Sequence, residues 1–315
     1  MEQARGERRV EGIISTLAGA IAWGFSGTCI QYLFASTSFD PLLLTTFRQL
    51  GAGIVFLCAL LVMQRQTLAE MLSDRQTCLR LAIFGSCGLF LNSAVYATAI
   101  SYTNAGTATV LQSLNIVFVL AISCIREGRT PRSLELAALA CALAATFLIA
   151  THGDLGAIHM PIRGLFFGIA TAAAATFYTM YPKPLFERWG SFAATGVGMF
   201  IGGITGVIVC LANGTLPGGV PPLDLKSVAV LGVAILVGTF AAYGLFLHGI
   251  SIVGPLWGNM LGAAEPVSAT VITALWLGTT FSWADWAGLV LMVATIMLVA
   301  LQSAPKEAVA EGEAR

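Results

Sequence analysis

Two ionisable side chains stand inside long apolar runs of this sequence, Glu265 and Arg48. Such a group at membrane depth costs about 2.5–3.5 kcal/mol on an insertion scale, so its presence points to function. Gly254, Gly258 and Gly262 recur at every fourth position and share a helix face with Glu265. Small residues let another helix approach, or leave a recess that a ligand can fill. Pro266 follows Glu265, and its missing N–H leaves the Gly262 carbonyl without a helical partner beside the carboxylate. The chemistry on offer is contact with a substrate cation or carriage of a proton. The structural alternative is a hydrogen-bonded Glu that pins two helices. Arg48 could hold a carboxylate bidentately, but it is read here as structural, reaching outward toward Asp40. Pro266 and the three glycines are structural too.

A second group is polar or aromatic at similar depth. Asn104, Ala108, Gln112 and Asn115 lie on one helix face, and Asn92 shares another with Gly88 and Tyr96. Trp23, Tyr178, Tyr243, Trp257 and Asn259 complete the set. Gln112, Asn115, Asn92 and Tyr96 are expected to face one central cavity with Glu265, walled by the aromatic residues. The bland reading is packing and interhelical hydrogen bonding, worth about 0.6 kcal/mol per bond.

Other chemistries find little support. The seven cysteines and three histidines (His152, His159, His248) are dispersed, without metal-ligand spacing, so neither a metal nor a cofactor is expected. Gly24-Phe25-Ser26-Gly27 matches the GxSG of intramembrane serine proteases. His248, the only candidate base within a span, is expected roughly 18 Å from Ser26 in depth, at 1.5 Å rise per residue. A nucleophile and its base must be about 3 Å apart, so an enzyme is not expected. No Walker A pattern occurs, which leaves transport that is passive or driven by a gradient.

The elements that must position these residues are membrane helices. Of 315 residues, 57% are hydrophobic and 10% charged, against roughly 45–50% and about 25% in soluble chains. The formal net charge is +0, so there is no footprint for nucleic acid. Ten runs are long enough to span: 12–34, 41–62, 79–100, 103–125, 133–151, 163–182, 191–211, 227–249, 253–277 and 283–301. The first is expected to remain as a signal anchor. With the N-terminus cytoplasmic, 13 Lys and Arg fall in inner loops and only Arg163 and Lys226 in outer ones. That asymmetry predicts a multi-pass protein of the inner membrane with both termini cytoplasmic. Gly198, Gly202 and Gly206 offer a close helix contact or a homodimer face.

Residues 101–150 and 251–300 align without gaps and share 11 identities, among them Leu111/Leu261, Gly128/Gly278 and Thr130/Thr280. The loops align as well, and the spans divide five and five. An odd number per half makes the second half enter from the opposite side. The prediction is an all-α integral membrane fold of ten helices in two inverted five-helix repeats, an architecture shared by many secondary transporters. The organisation expected is a tail at 1–11, a first repeat at 12–151, an external linker at 152–162, a second repeat at 163–301 and a tail at 302–315.

The chain resembles the ten-helix drug/metabolite transporter superfamily, in its branch with two EamA-type halves. The resemblance rests on this architecture and on Phe47-Arg48, Asn104-Ala105-Gly106-Thr107-Ala108 with Leu111-Gln112, and Ala264-Glu265-Pro266-Val267. Many members carry a proline in the fourth span where this chain has Asn115 or Ile116. The resemblance implies alternating access and the export of amino acids or related metabolites. Uptake of a small organic cation such as choline is the second reading. The partners are then a small-molecule substrate and membrane lipid.

Overall fold

The computed structural model describes residues 2–154 and 160–302, with the side chains of 2–6, 254–257, 259–260 and 299–302 outside the description. His159 and the part of the expected linker at 155–159 lie outside the described residues. All regular elements among the described residues are helical. Eight helices are long and apolar enough to cross a membrane, and two shorter apolar ones, Ala264–Leu277 and Trp283–Leu298, complete ten spans.

The sequence places a break between the eighth and ninth spans at 249–254, and the helical backbone of Ala242–Gly262 runs across it. Yet a Cβ added at Gly258 would fall 2.5 Å from the Ile250 side chain, and one at Gly262 3.6 Å from Phe246. In a straight helix these pairs would be about 12 and about 24 Å apart along the axis. The chain therefore turns back between Ile250 and Gly258. The eighth span enters at Leu225 and the ninth leaves at Leu277. Here Gly258 and Gly262 let the ninth span lie against the eighth.

Local chemistry sets the ends. Asp40 caps the second span by accepting from the N–H groups of Leu42 and Leu43, with Pro41 in the first turn. Asn104 caps the fourth by accepting from Thr107 N–H at 2.8 Å. The fourth and ninth spans end on Gly128 and Gly278, 150 residues apart, with φ of 62° and 65°. That left-handed conformation is natural for glycine at a helix end.

The spans that carry the candidate site are interrupted at matching places. The fourth breaks at Ser113-Leu114, between Ala105–Gln112 and Asn115–Glu127. The ninth breaks at Ala263, ahead of Ala264–Leu277. The fourth span thus has its break without a proline, with Asn115 and Ile116 following it. π-helical turns also recur, at Phe84–Phe90 in the third span and Leu236–Ala241 in the eighth. Neither turn is signalled by the sequence pattern.

The repeats interlock rather than sit side by side. The first span packs on the eighth and ninth, and the sixth on the third and fourth. The second lies along the seventh and the fifth along the tenth. Membrane helices associate by close packing and have little hydrophobic drive, so small residues govern these contacts. Gly19 meets the Ala242 carbonyl and Phe246, and Gly24 meets the backbone of Glu265 and Ala269. Gly198, Gly202 and Gly206 face Phe84, Gln49 and Thr46. That stripe is a close intramolecular contact, so it is not available as a dimer face.

Contacts between chain ends divide the loops between two faces. Glu11 meets His248, and Asp74 meets Arg188 at 2.8 Å; these mark the near face, where the first span begins. His152 meets Asp285 at 2.9 Å, and Gln31 meets Thr279 at 3.1 Å; these mark the far face.

Candidate functional site

Two abutting cavities occupy the middle of the molecule. The larger, about 810 Å³, runs from Trp23, Gln112, Asn115, Tyr178 and Glu265 out to Glu127, Arg129 and Arg132 at the near face. Glu127 and Arg132 are exposed, so it opens there. At its mouth Arg129 grips Glu135 with two bonds of 2.8 and 3.0 Å. The smaller chamber, about 120 Å³, lies among Ser26, Arg48, Gln49, Asn92, Tyr96 and Tyr243. Trp23, Gln112, Tyr178 and Glu265 line both.

Helix breaks aim the polar groups inward. Asn115 opens the second half of the fourth span, and Glu265 lies in the first turn after the break in the ninth. Each break frees backbone groups at membrane depth, which is tolerated where they line a cavity. Aromatic residues wall the Glu265 end. Trp23 meets Tyr243 edge-on at 4.9 Å and Phe246 at 4.5 Å, and Tyr178 meets Tyr243 at 6.5 Å.

Eight of the ten predicted binding residues border these cavities: Trp23, Asn92, Tyr96, Gln112, Asn115, Tyr178, Tyr243 and Glu265. The Trp257 and Asn259 side chains, and Gly254, lie outside the described side chains. Asn92 is buried and accepts from Thr171 at 3.5 Å; Tyr96 shares a 2.6 Å hydrogen bond with Thr109. Pro266 and Gly262 border the larger cavity.

Arg48 departs from expectation. Asp40 is engaged in capping, and Arg48 turns inward instead, its Nη2 donating to Ser26 at 2.8 Å and Thr239 at 3.3 Å. The π-helical turn supplies Thr239, whose hydroxyl in turn donates to the Ala234 carbonyl, five residues back. Arg48 Nε is buried without a partner, a penalty of about 1–3 kcal/mol for an ordinary donor and more for a charged one. No ion pair among the described residues includes Arg48 or Glu265.

Ser26, Gln49, Ser93 and Thr239 also belong to the chamber, and the sequence does not mark them as site residues. Gly24-Phe25-Ser26-Gly27 suggests a different chemistry. Ser26 serves Arg48 while His248 pairs with Glu11 at the near face, so these two residues do not come together.

At the far face the path is shut. Thr28 and Thr273 share a 2.8 Å hydrogen bond, and Gln31 donates to Thr279 and accepts from Ala105 N–H at 2.7 Å. Trp276 stacks on Phe25 at 5.7 Å and on Tyr32 at 5.6 Å. These contacts fasten the first span to the ninth and to the start of the fourth.

The EamA-like transporter family matches residues 10–151 and again 162–301. The chain belongs to that family. It is a multi-pass membrane protein built for transport. It is similar to the uncharacterized inner membrane transporter YicL of Salmonella typhimurium, 31% identical over 300 residues, covering 93% of this chain and 96% of that one. It is also similar to the uncharacterized transporter YwfM of Bacillus subtilis, 25% identical over 293 residues, covering 92% and 93%. A solved crystal structure shares the fold of this EamA chain, with a TM-score of 0.60 and 20% identity over 94% of this chain and 97% of that one.

Proposed function

We propose that this chain exports small metabolites, amino acids or close relatives, across the inner membrane by alternating access. The observation that carries the reading is the central cavity, open at one face, sealed at the other and bordered by a break in each repeat. The basic asymmetry of the loops supports a cytoplasmic near face and cytoplasmic termini. The near-open cavity is then loaded from the cytoplasm. The relation to an inner membrane transporter supports the location.

In this reading Glu265 meets a substrate ammonium or a proton, and Gln112, Asn115, Asn92, Tyr96, Tyr178, Tyr243 and Trp23 shape the site. Trp257 and Asn259 remain proposed contacts. Uptake of a small organic cation is the second reading, supported by the aromatic walls beside Glu265.

The test is flux in proteoliposomes over pH 5–8 for the native chain and Glu265→Gln. The Gln keeps the shape and one acceptor, so packing survives. A proton role predicts loss of coupling to the pH gradient with exchange of labelled substrate retained. An ammonium role predicts weaker affinity for amines and none lost for neutral analogues. Unchanged coupling, affinity and pH profile would return Glu265 to a structural role. Comparing metabolite efflux between deletion and overexpression strains would identify the substrate and its direction.

A further inference from the structure

We propose that Arg48 and Glu265 together recognise a zwitterion, with the guanidinium taking its carboxylate and the Glu265 carboxylate taking its ammonium. This rests on the small-metabolite reading above and narrows it to one charge pattern.

A guanidinium inside a protein is ordinarily paired with an anion or fully hydrogen-bonded. The protein partners of Arg48 are instead two neutral hydroxyls, Ser26 and Thr239, both on Nη2. Nε–H is buried and has no acceptor. Two hydroxyls fix the plane of the group without neutralising it. Nη1 makes no bond among the described residues and is not sealed, so that end of the guanidinium stays available to a carboxylate oxygen.

Glu265 presents the complementary charge. Its side chain borders the same chamber as Arg48. Its main-chain carbonyl accepts from Ser268, but no side-chain donor among the described residues satisfies its carboxylate. The two opposite charges face one cavity and do not pair with each other. A ligand bearing both charges, placed between them, neutralises both at once. A simple cation would leave Arg48 uncompensated, and a simple anion would leave Glu265 so.

Shape supports the same pattern. The chamber of about 120 Å³ suits a small charged head. The adjoining cavity of about 810 Å³ shares Trp23, Gln112, Tyr178 and Glu265 with it and leaves room for a variable side chain. Recognition then reads the head group strictly and the remainder loosely. Trp23 and Tyr243 line the chamber, where a ring face can receive an ammonium.

The test uses the full chain in lipid nanodiscs and titration calorimetry with matched probes. For the leucine side chain these are L-leucine, its methyl ester, 3-methylbutylamine and 4-methylpentanoate; sets for threonine and phenylalanine follow the same plan. At least one amino acid is expected to bind tenfold or more tighter than its ester, amine and deaminated acid. Arg48→Gln should abolish the preference for that amino acid over its ester. Glu265→Gln should reduce it to the affinity of the deaminated acid. Arg48→Lys keeps the charge without the fork and should fall between. Should Arg48→Gln fail to fold, the native ester comparison and Arg48→Lys decide the question. Ester or amine binding as well as the amino acid overturns the zwitterion site and leaves the transporter reading standing. Arg48→Gln that binds the amino acid as the native chain does also overturns it. Absence of binding by every probe overturns it together with the proposed substrate class.

Discussion

Gly53 and Gly203 occupy equivalent places across a pseudo-twofold axis. A Cβ on Gly53 would fall 2.5 Å from the Phe200 Cα, and one on Gly203 2.6 Å from the Leu50 Cα. Both 50/200 and 53/203 are separated by 150 residues, the offset of the repeat. The second and seventh spans thus touch through the same pair of positions twice. Each methyl would meet main chain, which cannot swing aside. Gly53→Ala and Gly203→Ala are each expected to destabilise by about 1–3 kcal/mol. The double variant should lose less than the sum, because the first methyl already separates the helices. Unfolding midpoints in detergent, followed by tryptophan fluorescence, check both statements.

Asn115→Leu is expected to weaken substrate binding by tenfold or more while lowering protein yield little. Asn115 borders the larger cavity at the break in the fourth span. Its backbone carbonyl, and not its side chain, accepts from Thr176 at 3.4 Å. The fold therefore does not depend on the amide group. Transport loss that merely tracks yield would reduce Asn115 to packing.

The proposed orientation can be read by thiol labelling. In a variant with all seven cysteines replaced, a Cys at Gly218 should react with an impermeant reagent applied outside, and one at Arg75 should not. Gly218 lies in the connection between the seventh and eighth spans, and Arg75 at the near-face start of the third. Reversed labelling inverts the direction assigned to the open cavity.

Trp276→Ala is expected to open the far face. The indole stacks between Phe25 and Tyr32 and joins the first span to the ninth. Without it, Thr28–Thr273 and Gln31–Thr279 carry the closure. A Cys placed at Ser93, which lines the chamber and takes no part in the seal, should then label at least several times faster from outside than with Trp276 in place. An unchanged rate would mean that the hydroxyl and amide bonds suffice.

Asp74 offers a pH test at the near face. It accepts from the Thr77 hydroxyl at 2.7 Å and from Gln76 N–H, and pairs with Arg188. The Thr77 bond foremost, with the other two, holds its carboxyl below the usual carboxylate range. A depressed folded value stabilises above the unfolded value of about 3.9 and ceases to do so as pH falls through the folded one. Asp74→Asn should lower the unfolding midpoint at pH 7, and the gap should close as pH falls below about 4. A constant gap would assign the effect to shape alone.

Most of the architecture is legible in the sequence because membrane helices announce themselves. Apolar runs have to be long, and loop glycines such as Gly128 and Gly278 fall at the repeat offset. What stays hidden depends on single residues of register. A π-helical turn inserts one residue without changing hydrophobicity, so Phe84–Phe90 and Leu236–Ala241 leave no trace in composition. At the site, Glu265, Asn115 and the aromatic residues stand out as costly or bulky at depth. Ser26 and Thr239 do not, since small hydroxyls can satisfy themselves on their own helix. Arg48 is conspicuous, but its direction is not. Asp40 is nearby in sequence, and its capping bonds become visible only with the backbone in place.

Under the proposed alternating access, the far-face seal sets a preference between two states. Shifted by the repeat offset, Thr28 becomes Tyr178, Thr273 becomes Ser123, and Trp276 becomes Arg126. Tyr178 and Ser123 border the open cavity, and Arg126 is exposed. A chain made of two identical halves would be degenerate, its near-open and far-open forms equal in free energy and each populated half the time. Divergence between the halves lifts that degeneracy. A stacked indole on one side, answered by an exposed guanidinium on the other, would tilt the balance toward the near-open form. The sequence difference between duplicated halves is then what gives the molecule a resting state.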